Sequence, residues 1–433
     1  MARVLLRHAV AAMATAAVAC GPADPPPVNG TAPPFSPASP GDAGGPIAWR
    51  PIDPPAKGGA LASRIQKVGG TLHVTWLEPS QATARKTAGA PSRDDKGGRR
   101  VEHTLFHSRW VDSEWTPPVP IQSGDDFFAN WADVPGLATD ADGTYYAHAL
   151  RKLGEGTYAY GVRLSTSEDG RTWRDAGWLH DDASATEHGF VSYIAASDGA
   201  VRAIWLDGRA MLDSGAMHLR TAKLRGGSPA ASELLDERVC ECCSTDAVLT
   251  ADGPVVAYRD RSDREIRDIA VVRATADGWT EPIVAHDDGW SLQGCPVNGP
   301  ALAAKGRDVA LAWFTAAQDR PRVQVAFSRD AGASWGAPFL LDDQAPLGRV
   351  DVVFDDTGDA QVLWLAQRDG RAEVSLQRIG PDGAVGELRV LATTEAGRAA
   401  GVPKLEVVEE GLIAAWIETG DSATLRAALI PAE

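Results

Sequence analysis

The stretch GAVRAIWLD at residues 199–207 places a glycine ahead of an apolar, strand-like run that carries a tryptophan. Similar stretches recur along the chain. The seven copies begin at Gly70, Gly143, Gly199, Gly253, Gly306, Gly358 and Gly411. Successive starts are 73, 56, 54, 53, 52 and 53 residues apart. A nearly constant period of this length indicates a repeat architecture in which each copy is one structural unit.

The copies contain short strands separated by glycine turns, and no stretch has sustained helical periodicity. Regularly spaced strands with periodic glycine and aromatic residues predict a β-propeller with one four-stranded sheet per blade. Seven copies predict an all-β, seven-bladed propeller, and six blades with a decorated first unit is the alternative. The last copy lacks an obvious fourth strand. PIAWRPI at residues 46–52 could supply that strand and close the ring.

Two turns connect the repeat to a known family. SRDAGASW at residues 328–335 matches the Asp-box pattern S-x-D-x-G-x-T-W with serine in the threonine place. SEDGRTW at residues 167–173 matches it with one residue missing. Over most of residues 46–433 the chain resembles the sialidase-like propellers, which carry such Asp-box (BNR) repeats. The resemblance implies that these turns lie away from the ligand site, while the loops into each innermost strand face it.

The beginning of the sequence predicts export. Two arginines precede an uncharged Ala/Val stretch that ends in AVAC at residues 17–20, which resembles the lipobox of bacterial lipoproteins. We expect a lipoprotein signal peptide over residues 1–19, lipidation of Cys20, a Pro/Gly-rich tether over 20–45 and the propeller over 46–433. An ordinary cleaved signal peptide is the alternative. The expected location is the cell envelope, at the outer membrane on its periplasmic or surface side.

The charge and hydropathy of the chain limit its partners. A formal net charge of −16 argues against a nucleic-acid partner. No later segment offers ~18 uninterrupted apolar residues, so membrane contact is expected through the lipid anchor only. We expect a monomer.

Four cysteines remain after Cys20, and they are Cys240, Cys242, Cys243 and Cys295. An even number in an exported protein favours disulfides, although a bond within the C-x-C-C cluster would be strained. The alternative is a metal site, because soft sulfur ligands select Cu(I) or Zn, with His188 as a further ligand candidate. The C-x-C-C spacing is not the usual C-x-x-C zinc knuckle. A free catalytic thiol is the third alternative.

Several charged and aromatic side chains fall in loops of the expected ligand face. The predicted ligand-binding residues are Arg209, Arg259, Arg261, Arg349, Arg398, His188, Trp290 and Asn298. Guanidinium groups fork to carboxylates, so the predicted ligand is an anionic glycan or another small carboxylate. Trp131 and Trp290 lie outside the repeat pattern and are candidates for stacking on a sugar ring.

The family resemblance also implies a catalytic chemistry. Sialidases hold the substrate carboxylate with arginines and use a glutamate-activated tyrosine and an aspartate. The candidates here are Asp207, Asp260, Glu187 and Tyr258. The Phe/Tyr-Arg-Ile/Leu-Pro motif of the family is matched only in part by WRPI at residues 49–52. The family nucleophile lies late in the chain, whereas here no tyrosine follows Tyr258. The sequence therefore predicts a carbohydrate-binding face, with an exo-sialidase type glycoside hydrolase and a copper-binding or redox protein as alternatives.

Overall fold

The computed structural model describes residues 49–80, 101–196 and 198–432. Within these ranges the chain forms seven antiparallel sheets, so the predicted seven-bladed β-propeller is confirmed. No helix of the described ranges is long and apolar enough to cross a membrane. The predicted signal peptide, the lipidation site Cys20 and the tether lie outside the described residues.

The strands follow one another along the chain, with one short strand, β1 (Arg50–Pro51), ahead of the first blade. Blade 1 consists of β2 (Leu61–Val68), β3 (Thr71–Pro79), β4 (His103–Val111), β5 (Glu114–Trp115) and β6 (Val119–Gly124). Blade 2 consists of β7 (Leu137–Thr139), β8 (Tyr145–Lys152), β9 (Tyr160–Ser167) and β10 (Arg174–Trp178). Blade 3 consists of β11 (His188–Ala195), β12 (Val201–Asp207), β13 (Met217–Arg225), β14 (Ser228–Pro229) and β15 (Glu233–Val239).

The remaining blades follow the same order. Blade 4 consists of β16 (Asp246–Thr250), β17 (Gly253–Arg259), β18 (Ile269–Thr275), β19 (Gly278–Trp279) and β20 (Ile283–Val284). Blade 5 consists of β21 (Ala301–Lys305), β22 (Asp308–Thr315), β23 (Arg322–Ser328) and β24 (Phe339–Asp342). Blade 6 consists of β25 (Pro346–Phe354), β26 (Ala360–Arg368), β27 (Arg371–Ile379) and β28 (Arg389–Glu395). Blade 7 consists of β29 (Lys404–Val408), β30 (Gly411–Glu418) and β31 (Thr424–Pro431).

Blade 7 takes its fourth strand from the other end of the described chain. Strand β1 pairs antiparallel with β31, with Arg50 opposite Leu429. The Ile52 N–H then donates to the Ala427 carbonyl at 2.9 Å. The predicted ring closure is therefore confirmed for the described part of residues 46–52. Strand β1 thus covers part of the outer edge of β31, whose backbone groups would otherwise be unpaired there.

The repeated tryptophans fill the spaces between blades. Trp76, Trp205, Trp313, Trp364 and Trp416 are each at most 4% exposed. The indoles of all but Trp416 also find acceptors: for example, Trp76 donates to Glu78 at 2.8 Å, and Trp205 donates to Asp207 at 2.9 Å. Both acceptors stand two residues after the tryptophan of their repeat. A carboxylate at this position therefore satisfies a buried indole N–H.

Three 3₁₀ turns interrupt the loops and are η1 (Arg209–Asp213), η2 (Ala317–Asp319) and η3 (Arg398–Ala400). Because neighbouring strands run in opposite directions, the loops after each second strand emerge on the same side as the loops into each innermost strand. We call this side the loop face, and the loops into the innermost strands the lead-in loops. Turns η1 and η2 follow second strands, and η3 lies in the lead-in loop of blade 7.

Candidate functional site

A small pocket opens where the lead-in segments of six blades meet at the ring axis. It is narrow and open to solvent. Its lining consists of Ala132, Phe190, Ser244, Val297, Asn298, Gly299, Arg349, Val350 and Val402. We call it the axis pocket. Ligand pockets are concave and mostly apolar with a few convergent polar groups, and this lining has that composition.

Arg349 is the charged side chain of the axis pocket. Its Nη1 donates to the Gly397 and Gly401 carbonyls at 2.9 and 3.0 Å, which flank turn η3. Its guanidinium carbon lies 4.4 Å from the ring centroid of Trp131, a cation–π contact. Burial, followed by the charge of Arg398, lowers the pKa of Arg349 to about 10. The guanidinium remains charged at neutral pH and is held in place by η3 and the indole.

Arg398 lies on the turn that Arg349 holds. Its side chain is exposed, and it forms no ion pair with any residue in the described part of the chain. Arg349 also has no carboxylate partner within those ranges. Two neighbouring guanidinium groups without a counter-charge form a local positive patch on a chain of net charge −16. Such a patch favours an anionic ligand.

A tyrosine and two carboxyl groups meet at the boundary of blades 2 and 3. The Tyr160 hydroxyl lies 2.5 Å from Glu187 Oε1 and 3.4 Å from Asp133 Oδ2. The second oxygen of Asp133 accepts the Phe190 N–H at 2.8 Å. Gly189 permits this approach, because a side chain there would collide with the Asp133 carboxyl group and the Tyr160 ring. Glu187, a predicted catalytic residue, thus meets Tyr160 rather than Tyr258.

Burial sets the protonation of these two carboxyl groups. It raises the pKa of Glu187 to about 8, although the hydrogen bond from Tyr160 opposes the shift. It raises the pKa of Asp133 to about 7, against the hydrogen bonds from Phe190 and Tyr160. Burial, then the charge of Glu187, also raises the pKa of the Tyr160 hydroxyl. A carboxyl group that is neutral near pH 7 can act as a general acid.

The cysteine cluster lies in the lead-in loop of blade 4. Cys240 Sγ is 3.2 Å from Cys243 Sγ and 4.0 Å from Cys242 Sγ, and all three sulfurs lie within 4.8 Å of one another. Cys295, which is exposed, contacts Cys242 from the neighbouring lead-in loop. All four described cysteines are free thiols, so the structure contains no disulfide among them. The cluster matches the predicted metal alternative in its composition.

One thiol of the cluster is favoured as the thiolate. Burial opposes ionisation of Cys240, but hydrogen bonds from Cys242 and Cys243 and the charge of Arg267 together lower its pKa. Burial and the hydrogen bond to Cys240 raise the pKa values of Cys242 and Cys243. Of the three thiols, Cys240 is therefore the one that ionises most readily.

Two arginines and two glutamates surround the cysteine loop. Arg267 donates to Cys240 Sγ at 3.2 Å, to Glu241 at 2.9 Å and to Glu265 at 2.8 Å. Arg261 pairs with Glu265 at 2.8 Å and with Glu241. The guanidinium of Arg261, a predicted ligand-binding residue, is thus paired with glutamates of this network. The network holds the cysteine loop against the loop that follows the second strand of blade 4.

Arg259 and Trp290 have roles that differ from the predicted ones. Arg259 is 1% exposed, and its guanidinium donates to the carbonyls of Asn298, Arg267 and Phe314 at 2.8, 2.6 and 2.7 Å. Its guanidinium carbon lies 4.8 Å from the ring centroid of Trp290, which is itself 7% exposed. Both side chains are interior, so the structure corrects their assignment as an anion-binding group and a sugar-stacking ring.

Asp207, Arg209 and His188 also form an internal cluster. Arg209 forks to both oxygens of Asp207 at 2.7 and 2.8 Å. Asp207 and His188 are fully buried, and His188 Nε2 lies 3.1 Å from Asp182. Asp207 is the indole acceptor of its repeat, which assigns it a structural role. Asp207, a predicted catalytic residue, and the predicted ligand-binding residues Arg209 and His188 thus lie in one cluster, with Arg209 partly exposed.

The remaining candidates are Tyr258, Asp260 and Asn298. Tyr258, the predicted nucleophile, is fully buried and donates to Asp236 at 2.6 Å rather than meeting Glu187. Asp260 is half-buried beside this pair, and burial raises its pKa to about 6. Asn298 lines the axis pocket and accepts the Arg349 N–H at 2.7 Å. Asn298 thus fixes the backbone that carries Arg349.

Sequence reasoning missed Tyr160, Asp133 and Arg267. One signal was available for Asp133: it precedes a Pro in the lead-in loop of blade 2 much as Asn298 does in blade 5. Both side chains accept a backbone N–H from the next blade, at Phe190 and at Arg349. Comparing lead-in loops would have selected Asp133. No pattern in the repeat indicates Tyr160 or Arg267.

No protein-family model and no curated protein matches this chain. Among solved structures, a protein of unknown function from Dyadobacter fermentans is 14% identical with a TM-score of 0.51, over 90% of this chain and 99% of that one. A polysaccharide lyase is 10% identical with a TM-score of 0.48, over 86% and 90% of the two chains. A Hadza microbial sialidase is 14% identical with a TM-score of 0.45, over 76% and 73%. The likeness to the Dyadobacter protein is one of fold alone.

Proposed function

We propose that the axis pocket binds the carboxylate-bearing end of an anionic glycan, or another small carboxylate. The observation that carries the proposal is the pair Arg349 and Arg398, which are neighbours and have no acidic partner in the described part of the chain. Each guanidinium group can fork to a carboxylate, and Trp131 fixes the plane of Arg349.

Binding of acidic monosaccharides tests this proposal. N-acetylneuraminic acid and glucuronic acid are titrated calorimetrically against the protein, with N-acetylglucosamine as the neutral probe. Arg398→Ala should weaken acid binding by about ten-fold or more, because a charge-assisted hydrogen bond contributes about 1.5–3 kcal/mol. Arg329→Ala, an exposed arginine in the turn between the third and fourth strands of blade 5, should leave it unchanged. Equal binding of neutral and acidic sugars, or full affinity in Arg398→Ala, would contradict the proposal.

A second candidate function is glycoside hydrolysis of the exo-sialidase type. The contact of Tyr160 with Glu187 and Asp133 favours it, because a tyrosine, a glutamate and an acid/base aspartate are the groups this chemistry requires. Fluorogenic acidic glycosides would detect turnover. Tyr160→Phe and Glu187→Gln should abolish turnover, while Tyr258→Phe, which alters another buried tyrosine, should retain it. Turnover that survives Tyr160→Phe would exclude this mechanism.

We also propose the finer assignments made from the sequence. The turns at residues 167–173 and 328–335 would be Asp boxes, which their hydrogen bonds support: the Asp330 carboxylate accepts the Ser334 hydroxyl at 2.6 Å. Residues 1–19 would be a lipoprotein signal and Cys20 the lipidated residue, with the monomeric propeller displayed in the cell envelope. Incorporation of labelled palmitate that disappears in Cys20→Ala tests the anchor. Incorporation that persists would place the lipid elsewhere.

A further inference from the structure

The cysteine cluster is a second site, independent of whether the axis pocket binds a carboxylate. We infer that Cys240, Cys242 and Cys243 bind one soft, monovalent metal ion, Cu(I), through three sulfurs. Thiolate sulfur is the ligand type that selects Cu(I) over hard cations. The cluster combines three sulfur atoms in one short loop, C-x-C-C, with a fourth thiol, Cys295, at its exposed side.

The spacing of the sulfurs fits a three-coordinate ion. With metal–sulfur bonds of about 2.3 Å, trigonal ligands lie about 4.0 Å apart and tetrahedral ligands about 3.8 Å apart. Cys240 Sγ lies 4.0 Å from Cys242 Sγ and 3.2 Å from Cys243 Sγ, and every pair lies within 4.8 Å. A shift of the Cys243 sulfur by about 0.8 Å would bring it from 3.2 Å to the trigonal spacing from Cys240 Sγ.

The loop is held in this conformation without the metal. The Cys240 N–H donates to the Arg259 carbonyl at 3.0 Å, and Val239 forms a bridge with Asp260. Cys240 and Cys243 are 1% and 2% exposed. A preformed set of ligands lowers the cost of ordering them on binding. These two sulfurs face the protein interior rather than solvent. The site therefore favours a metal ion without bound water.

The surrounding charges fit an anionic sulfur site rather than apolar packing of neutral thiols. Arg267, buried beside the cluster, aims Nη1 at Cys240 Sγ at 3.2 Å. Arg259 is buried, contacts only backbone carbonyls through its hydrogen bonds and interacts electrostatically with Cys243. A nearby anion stabilises a buried guanidinium whose only hydrogen-bond partners are neutral carbonyls. Three thiolates with one Cu(I) carry a net charge of −2, which supplies that anion.

Zinc is the competing ion, and Cys295 distinguishes it from copper. A structural zinc site is almost always four-coordinate and tetrahedral, so zinc would need the Cys295 sulfur as its fourth ligand. Cys295 is exposed and lies in another loop, whereas the three inferred ligands lie in one loop. A three-sulfur Cu(I) site does not need Cys295. The site is therefore predicted to tolerate Cys295→Ser and not Cys243→Ser.

Metal retention by the full chain tests this inference. The protein carrying Cys20→Ser is prepared anaerobically, mixed with Cu(I) or Zn(II), passed through a chelating column and analysed for metal. We expect one equivalent of copper with an ultraviolet thiolate-to-copper absorption band. Cys242→Ser and Cys243→Ser should each lose the copper and the band, and Cys295→Ser should keep both. Circular dichroism of each variant verifies that the propeller is folded.

A second measurement needs no cysteine variant within the site. Copper loading should protect Cys242, the half-buried thiol of the cluster, from alkylation by iodoacetamide, as read by peptide mass spectrometry. Preferential retention of zinc, lost equally in Cys295→Ser and Cys243→Ser, would overturn the copper assignment in favour of a four-sulfur zinc site. Retention of no metal, with a mass that is lower by two hydrogens per bonded cysteine pair, would overturn the metal site in favour of disulfides.

Discussion

Replacing Arg259 by methionine isolates what the buried guanidinium does. Methionine keeps most of the alkyl volume but removes the charge and the donors. The carbonyls of Asn298, Arg267 and Phe314 then lose their partner in a site where Arg259 is 1% exposed. Each buried acceptor left unsatisfied costs about 1–3 kcal/mol. Removal of the buried charge recovers part of its desolvation cost, so we expect the free energy of unfolding to fall by about 4 kcal/mol.

Equilibrium urea unfolding at pH 7, followed by tryptophan fluorescence, measures this change. Arg398→Met is the matched control, because Arg398 is exposed and makes no ion pair within the described ranges, and its effect should stay within about 0.5 kcal/mol. A loss below about 1 kcal/mol in Arg259→Met would refute the reasoning. So would an Arg259→Met protein of unchanged stability that no longer binds acidic sugars, since Arg259 would then be the ligand group that the sequence predicts.

Two further predictions concern pH and ring closure. The pKa of Glu187 is raised from 4.5 to about 8, so between these pH values the folded state keeps a proton that the unfolded state releases. The contribution of Glu187 to the free energy of unfolding is therefore full below about pH 4.5 and is lost as the pH rises to about 8. Glu187→Gln should therefore flatten the decline of the urea midpoint between pH 5 and 8, and an unchanged slope would refute the pKa assignment. Deleting residues 1–53 should lower the free energy of unfolding by about 2–4 kcal/mol relative to deleting residues 1–46. Only the longer deletion removes β1 and the buried Ile52. Equal urea midpoints of the two deletions would contradict closure of the ring by β1.

The fold could be predicted because the same local physics repeats seven times. Each copy contains its own glycine turn and buried strand, and five of the seven carry an inter-blade tryptophan, so an error in one copy does not change the predicted architecture. The final strand could be placed for a similar reason: a ring that lacks one strand has one vacancy, and residues 46–52 are strand-like. Periodicity therefore predicts seven blades and leaves six as an alternative, which the seven observed sheets exclude.

The directions of individual side chains could not be predicted in the same way. Strand β17 is buried at nearly every position, since both of its faces pack against neighbouring blades. Alternation of buried and exposed residues, the usual indicator of side-chain direction, is absent from such a strand. Arg259 at its end was therefore assigned to the rim although it lies inside. Tyr160 was missed because its partners, Asp133 and Glu187, are each 27 residues away in opposite directions along the chain.

The axis pocket and the cysteine cluster are built from the same loop. Ser244, which lines the pocket, directly follows Cys243, and a side chain at Gly299 would collide with the Ser244 carbonyl. The loops of blades 4 and 5 are thus packed backbone to backbone at the pocket wall. Whatever fixes the sulfurs of this loop also fixes the wall beside Asn298, which in turn holds the Arg349 backbone. The interior arginine, Arg259, bonds both loops, so it acts as the common support of the two candidate sites rather than as a ligand of either.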